Sequence, residues 1–149
     1  MTMRTVIECA VIRAAASVAA ASDYRDAADR ATMTARYATC EAESLPVLSP
    51  WPEYEWYRAF AINRAEMATE IAQTATDDAD NADAWLQEIN YQKMLRASGK
   101  QWSWTQLNDA QTQYDAWRAA SLDASRRSES ASAASRIAAT TCRMFLDNQ

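Results

Sequence analysis

The sequence has no histidine, a single glycine and only three prolines among 149 residues. Each shortage closes off a class of chemistry. Without histidine there is no His-based catalytic triad, no ordinary zinc site and none of the Glu-x-x-His ligands of di-iron bundles. One glycine, Gly99, excludes a Gly-rich phosphate-binding loop. The prolines stand close together at Pro46, Pro50 and Pro52. The long stretches around them carry no strong backbone breaker, which points to an all-α chain. No apolar run reaches membrane-spanning length. The three cysteines, Cys9, Cys40 and Cys142, have no metal-ligand spacing. Reduced thiols in a cytoplasmic protein are therefore the expectation. The N-terminal "MTMRTVIECAVIRAAASVAAAS" has the outline of a secretion signal, but Glu8 and Arg13 interrupt its apolar stretch. Basic residues are too few and too dispersed, at a net charge of −5, for a phosphate-backbone or anionic-lipid surface. No cofactor, no direct nucleic-acid contact and no membrane contact are expected.

What the chain has in quantity is alanine, 33 residues of it. Breaks at 44–52 ("SLPVLSPWP") and 98–103 ("SGKQWS") leave segments 2–43, 52–97 and 104–147. Each runs to about 44 residues, or about 65 Å if continuous and helical. Equal lengths and short connections predict one domain over 1–149, an antiparallel up-down-up bundle of three long helices. Ser22-Asp23 and Thr76-Asp77 are candidate interior caps that would kink or split a helix. Ser49-Pro50 reads as an N-cap with proline at N1. Ser103 to Gln106 reads as a capping box, flanked by a Trp102–Leu107 hydrophobic staple. Gly99 sits where a left-handed residue closes a helix.

Steps of four and three trace one uncharged stripe along each segment. The first runs from Met3 and Ile7 through Tyr24, Ala28, Ala31, Ala35, Ala38 and Ala42 to Leu45. The second links Ala61, Ala65, Ala68, Ala72, Ala75, Ala79, Ala82, Leu86 and Ile89. The third links Leu107, Ala110, Tyr114, Trp117, Ser121, Ala124, Ser128, Ala131, Ser135, Ala138, Cys142 and Phe145. These are heptad seams with Ala and Ser where Leu is usual, so the helices are expected to approach closely. Large side chains gather near the segment ends, predicting two end cores around a slim alanine waist. "WPEYEWYRAF" (51–60) cannot turn all its rings inward on one helix face. Trp51, Tyr54, Trp56, Tyr57 and Arg58 are therefore the candidate partner-binding residues. "EYEWYRAFA" (53–61) faintly echoes "QYDAWRAAS" (113–121), as chance or shared bundle-end packing would produce.

Other chemistry-bearing patterns fall away. Glu66 and Glu70 share a helix face but lack partner ligands. The acidic run "DDADNAD" (77–83) has Ala79 and Ala82 where a calcium loop needs a ligand and a glycine. In "SLDASRRSESASAASR" (121–136) the small residues fall on the seam, so it reads as helix, not as a disordered tail.

"LQEINYQKML" (86–95), "QLNDAQTQYDAWRAASL" (106–122) and Cys142 together resemble the LprI-type lysozyme-inhibitor domain. The resemblance spans about residues 79–146 and rests on Ile89, Asn90, Leu107, Ala110, Gln111, Tyr114, Trp117, Arg118 and Cys142. Leu122 stands where that family has a cysteine, so the disulfide it implies with Cys142 cannot form. The family is exported, which this chain's N-terminus does not suggest. The resemblance implies a non-enzymatic helical protein that binds and blocks a cell-wall hydrolase. Read from the residues alone, Tyr114, Trp117, Leu122 and Cys142 are structural seam, and Arg118 lays its stem across a ring or pairs with an acid. The leading expectation is a binding inhibitor, lysozyme-inhibitor-like or of immunity or anti-defence type, that occludes an enzyme. The alternative is a structural or assembly subunit, a homo-oligomer whose alanine seams associate between copies. An acidic nucleic-acid mimic and an enzyme stand behind both.

Overall fold

The structure, a computed structural model, describes residues 23–47 and 51–148. Three helices make up the described residues: α1 (Asp23–Glu43), α2 (Pro52–Ala97) and α3 (Trp104–Asp147). Each packs against both others, giving an all-α bundle with no strand among the described residues. None of these helices is long and apolar enough to cross a membrane. The expected stripe from Met3 to Ala21, and the residues Ser49 and Pro50 themselves, lie outside the described residues.

Heptad periodicity accounts for the packing almost residue by residue. Tyr24, Ala28, Ala31, Ala35, Ala38, Ala42 and Leu45 are all buried, as is the α2 seam from Ala61 to Ile89 apart from the half-buried Leu86. On α3, Trp117 and Phe145 are half-buried and the other seam positions are buried. The contacts that set helix spacing come from serine. Ser121, Ser128 and Ser135, seven residues apart and fully buried, donate to the backbone carbonyls of Ala75, Ala68 and Ala61 at 2.8, 2.7 and 2.7 Å. As α3 numbers rise, their α2 partners fall, so the two helices are antiparallel. A carbonyl oxygen has a second lone pair, so it takes this hydroxyl without surrendering its own helical bond. Only the absence of side chain beyond Cβ on α2 lets a hydroxyl reach the facing backbone.

α1 lies in one groove of this pair, parallel to α3 and antiparallel to α2. Asp23 pairs with Arg118, Tyr24 and Arg25 bond Asp83, and Arg25 also reaches Asp80 at 2.9 Å. Near the other end of α1, Glu41 faces Arg136 and Arg143, each at 3.7 Å. The interior resolves into two end clusters and a middle. One end holds Tyr24, Ile89, Leu107 and Tyr114; the other holds Leu45, Tyr54 and Cys142; Ala31, Ala35, Ala68, Ala72 and Ala131 form the waist between them.

Local chemistry ends the helices. Gly99 adopts φ +69°, with Gly99 N–H donating to Arg96 O and Lys100 N–H to Leu95 O, a Schellman closure that requires the left-handed conformation. Ser103 caps α3 by accepting from Gln106 N–H at 3.2 Å. The return half of the capping box comes from elsewhere. Buried Gln92 of α2 accepts from Ser103 N–H at 3.0 Å and donates to the Gln106 side chain at 2.9 Å. Trp102 packs on the cluster that contains Leu107. Two expectations need correction. α2 does not break at Thr76-Asp77, because Thr76 returns its hydroxyl to Ala72 O within the helix and Asp77 accepts from Gln73. The N-cap of α2 is Trp51, with no side-chain cap bond and proline in the first turn, where a missing N–H costs nothing.

Ser128→Ala should lower unfolding free energy by about 1 kcal/mol, the usual net worth of one hydrogen bond. Ser128→Leu, the residue an ordinary heptad seam prefers, should cost about 3 kcal/mol through overpacking. Urea denaturation of both variants separates a spacing set by serine from a generic apolar seam, for which leucine would stabilise.

Candidate protein-binding face

The sequence places five residues of segment 51–58 at a partner face, and the structure divides them. Trp51 and Trp56 are exposed, at 46 % and 61 %. Tyr57 is half-buried, edge-on to Trp56 and tilted against Phe145. Tyr54 is fully buried, which corrects its assignment: it stands one heptad before Ala61 and its hydroxyl donates to Pro46 O. Burial, more than any neighbouring charge, pushes its phenol up from the ordinary value. Arg58 also turns inward. Its Nε donates to Leu45 O at 3.3 Å and its guanidinium lies 3.8 Å from Glu55. Tyr54 and Arg58 thus hold the chain leaving α1 against the start of α2.

The face is completed by α3 residues that the sequence reading passed over. Ile137 and Met144 are exposed at 69 % and 59 %, and with Thr141 they form an i, i+4, i+7 series beside the seam. Across from them, Trp56 stacks on Phe60 with centroids 5.5 Å apart. Between these walls runs a groove of about 290 Å³ floored by Ala134, Ala138 and Thr141. It adjoins a hollow of about 340 Å³ lined by Trp51, Met144 and Phe145. The signal was present as a second apolar stripe, Trp56, Phe60, Met67 and Ile71 on α2, with Ile137 and Met144 of α3 beside its N-terminal part.

One cation lies in this apolar setting. The Arg64 guanidinium sits 4.9 Å over the Phe60 ring, and one amino group contacts the Met67 sulfur at 3.4 Å. Its Nε is buried without an acceptor. Among the described residues Arg64 has no carboxylate partner, whereas Arg127 pairs with Asp123 at 3.3 Å. One heptad beyond Ile71 stands Asp78, whose carboxyl is pushed up by burial and then by Asp77. The groove can therefore bury apolar surface and seat one negative charge. Among the described residues, no three side chains of the metal-ligating kind converge.

The seam residues sit elsewhere. Tyr114 meets Tyr24 edge-on at 5.9 Å, and Trp117 and Leu122 pack on the same cluster. Arg118 pairs across the bundle with Asp23. Cys142 is a buried free thiol whose Sγ lies 3.7 Å from Tyr54 O, and burial pushes it above the ordinary thiol value. Cys40 is free and exposed; Cys9 lies outside the described residues. The class so defined is an all-α three-helix bundle with an open aromatic groove. No protein-family model, curated protein or solved structure matches the chain.

Tyr54→Ala should cost about 3 to 5 kcal/mol, as expected for removing a buried ring, and Trp56→Ala about 1 kcal/mol or less. Chemical denaturation of the two variants checks the division of this segment. In native protein a thiol reagent should modify Cys40 rapidly and Cys142 at least a hundredfold more slowly, on the order expected for a buried un-ionised thiol. Equal rates, followed by peptide mapping, would contradict the burial of Cys142.

Proposed function

We propose that this is a non-enzymatic binding protein that occludes a partner enzyme with the face formed by Trp51, Trp56, Ile137 and Met144. The carrying observation is that four large apolar side chains, from the start of α2 and from α3, stand exposed around the groove and the hollow adjoining it. Scattered exposed apolar residues are ordinary, but a contiguous patch built on rigid helices is recognition surface. Tryptophan and methionine are side chains that interfaces favour. The kind of target stays with the family resemblance: a cell-wall hydrolase of lysozyme type, or another enzyme held by an immunity or anti-defence protein. Two free cysteines and the apolar Leu122 support a reduced, cytoplasmic variant of such an inhibitor. One observation counts against assembly through the alanine seams. The described seams of all three helices are already consumed within one chain.

In a pull-down from the source lysate, wild-type protein should recover one stoichiometric partner. Trp56→Ala should lose it while its helical melting curve stays unchanged. Retention by both Trp56→Ala and Ile137→Glu would remove this face from the function. Undiminished lysozyme activity with the protein in excess would exclude lysozyme while leaving other enzymes as targets.

A further inference from the structure

Resting on that reading, we propose that the open groove receives an amphipathic α-helix of the partner protein, oriented by a carboxylate that seats on Arg64. The α2–α3 pair has two grooves, and α1 fills one of them. The other presents Tyr57 and Phe60 against Ala134 and Thr141, with Arg64 over the Phe60 ring and Ile71 one heptad further along α2. What a groove between two helices accepts is shown by α1 itself. Small residues form the floor while Trp56, Phe60 and Ile137 rise as walls, so ridges spaced i, i+3, i+4, i+7 on a third helix would interdigitate. From Trp51 to Ile71 the apolar run extends about 30 Å, room for a helix of roughly 20 residues.

Charge selects among helices. Other arginines have a carboxylate partner within the chain, Arg58 in Glu55, Arg127 in Asp123, and Arg136 and Arg143 in a shared Glu41 on the α1 side. Arg64 alone of these has only a ring and a thioether against it, with Nε buried and unbonded. A planar guanidinium left so in an apolar wall is completed by a carboxylate, which it binds bidentately. A second copy of the chain brought groove to groove about Arg64 would instead oppose two such cations. The occupant is therefore an acidic amphipathic helix from another protein.

The probes are two synthetic 20-residue helical peptides with the same leucine face, one flanked by glutamate and one by lysine, titrated calorimetrically into the full-length protein. The glutamate peptide should bind one to one and at least tenfold more tightly than the lysine peptide. Arg64→Glu should invert that order, and Ile137→Asp should abolish both while leaving the circular dichroism unchanged. Absence of binding by either peptide, or a preference that Arg64→Glu leaves intact, overturns the proposal. So does a dimer seen in sedimentation that Ile137→Asp dissolves, because the groove would then belong to a second copy. If the natural partner requires Trp56 and Ile137 but ignores Arg64→Glu, the acidic helix fails and the binding face stands. If it requires none of them, both fail.

Discussion

The architecture depends on how near α3 can come to the backbone of α2. Three serine hydroxyls reach facing alanine carbonyls, and everything about the seams follows from that proximity. A leucine at any of these positions would push the helices apart, so the middle of the bundle must be alanine and serine on all sides. The consequence is energetic. An alanine side chain buries little area, and at about 25 cal/mol per Å² such a waist contributes modestly per residue. Stability is carried by the ends, where Tyr24, Ile89, Leu107 and Tyr114 form one cluster and Leu45, Tyr54 and Cys142 another.

The same spacing explains why the fold was legible in the sequence. A stripe of small residues in steps of three and four fixes which side of each helix faces inward, and nearly every seam position among the described residues was assigned correctly. Tyr54 was missed because the second stripe was begun at Ala61, although the heptad extends back to it. Ile137, Thr141 and Met144 were missed for a deeper reason. Periodicity identifies the inward side but not which flank the third helix covers. Whether an apolar flank is sheltered or open depends on where α1 lies, and no local pattern encodes that. Gln92 was invisible for a related reason. It completes a cap eleven residues away, and a buried glutamine on a helix carries no spacing signal.

The two grooves of the α2–α3 pair are treated differently by the chain. On the α1 side, charges are matched: Asp23 with Arg118, Arg25 with Asp80 and Asp83, Glu41 with two arginines. These pairs are partly exposed and individually weak, so close alanine packing does most to hold α1, and the pairs specify its direction. On the other side the pairs of Arg58 with Glu55 and Arg127 with Asp123 run within one helix. Rings and aliphatic chains line the space between the helices, and the Arg64 guanidinium lies against an aromatic face. Such asymmetry separates a groove matched by charge from one lined by apolar side chains.

Identical rungs at a constant interval also pose a question of register. Sliding α3 by one heptad would bring Ser121 opposite Ala68 and Ser128 opposite Ala61, so the middle of the hairpin barely distinguishes the two alignments. Discrimination falls to the non-repeating ends. There Gln92 grips both Ser103 and Gln106, and Cys142 meets the backbone of Tyr54. The short connection at 98–103, closed by Gly99, gives little slack for a slip. The bundle thus works like a toothed track whose teeth supply contact and whose end stops supply position.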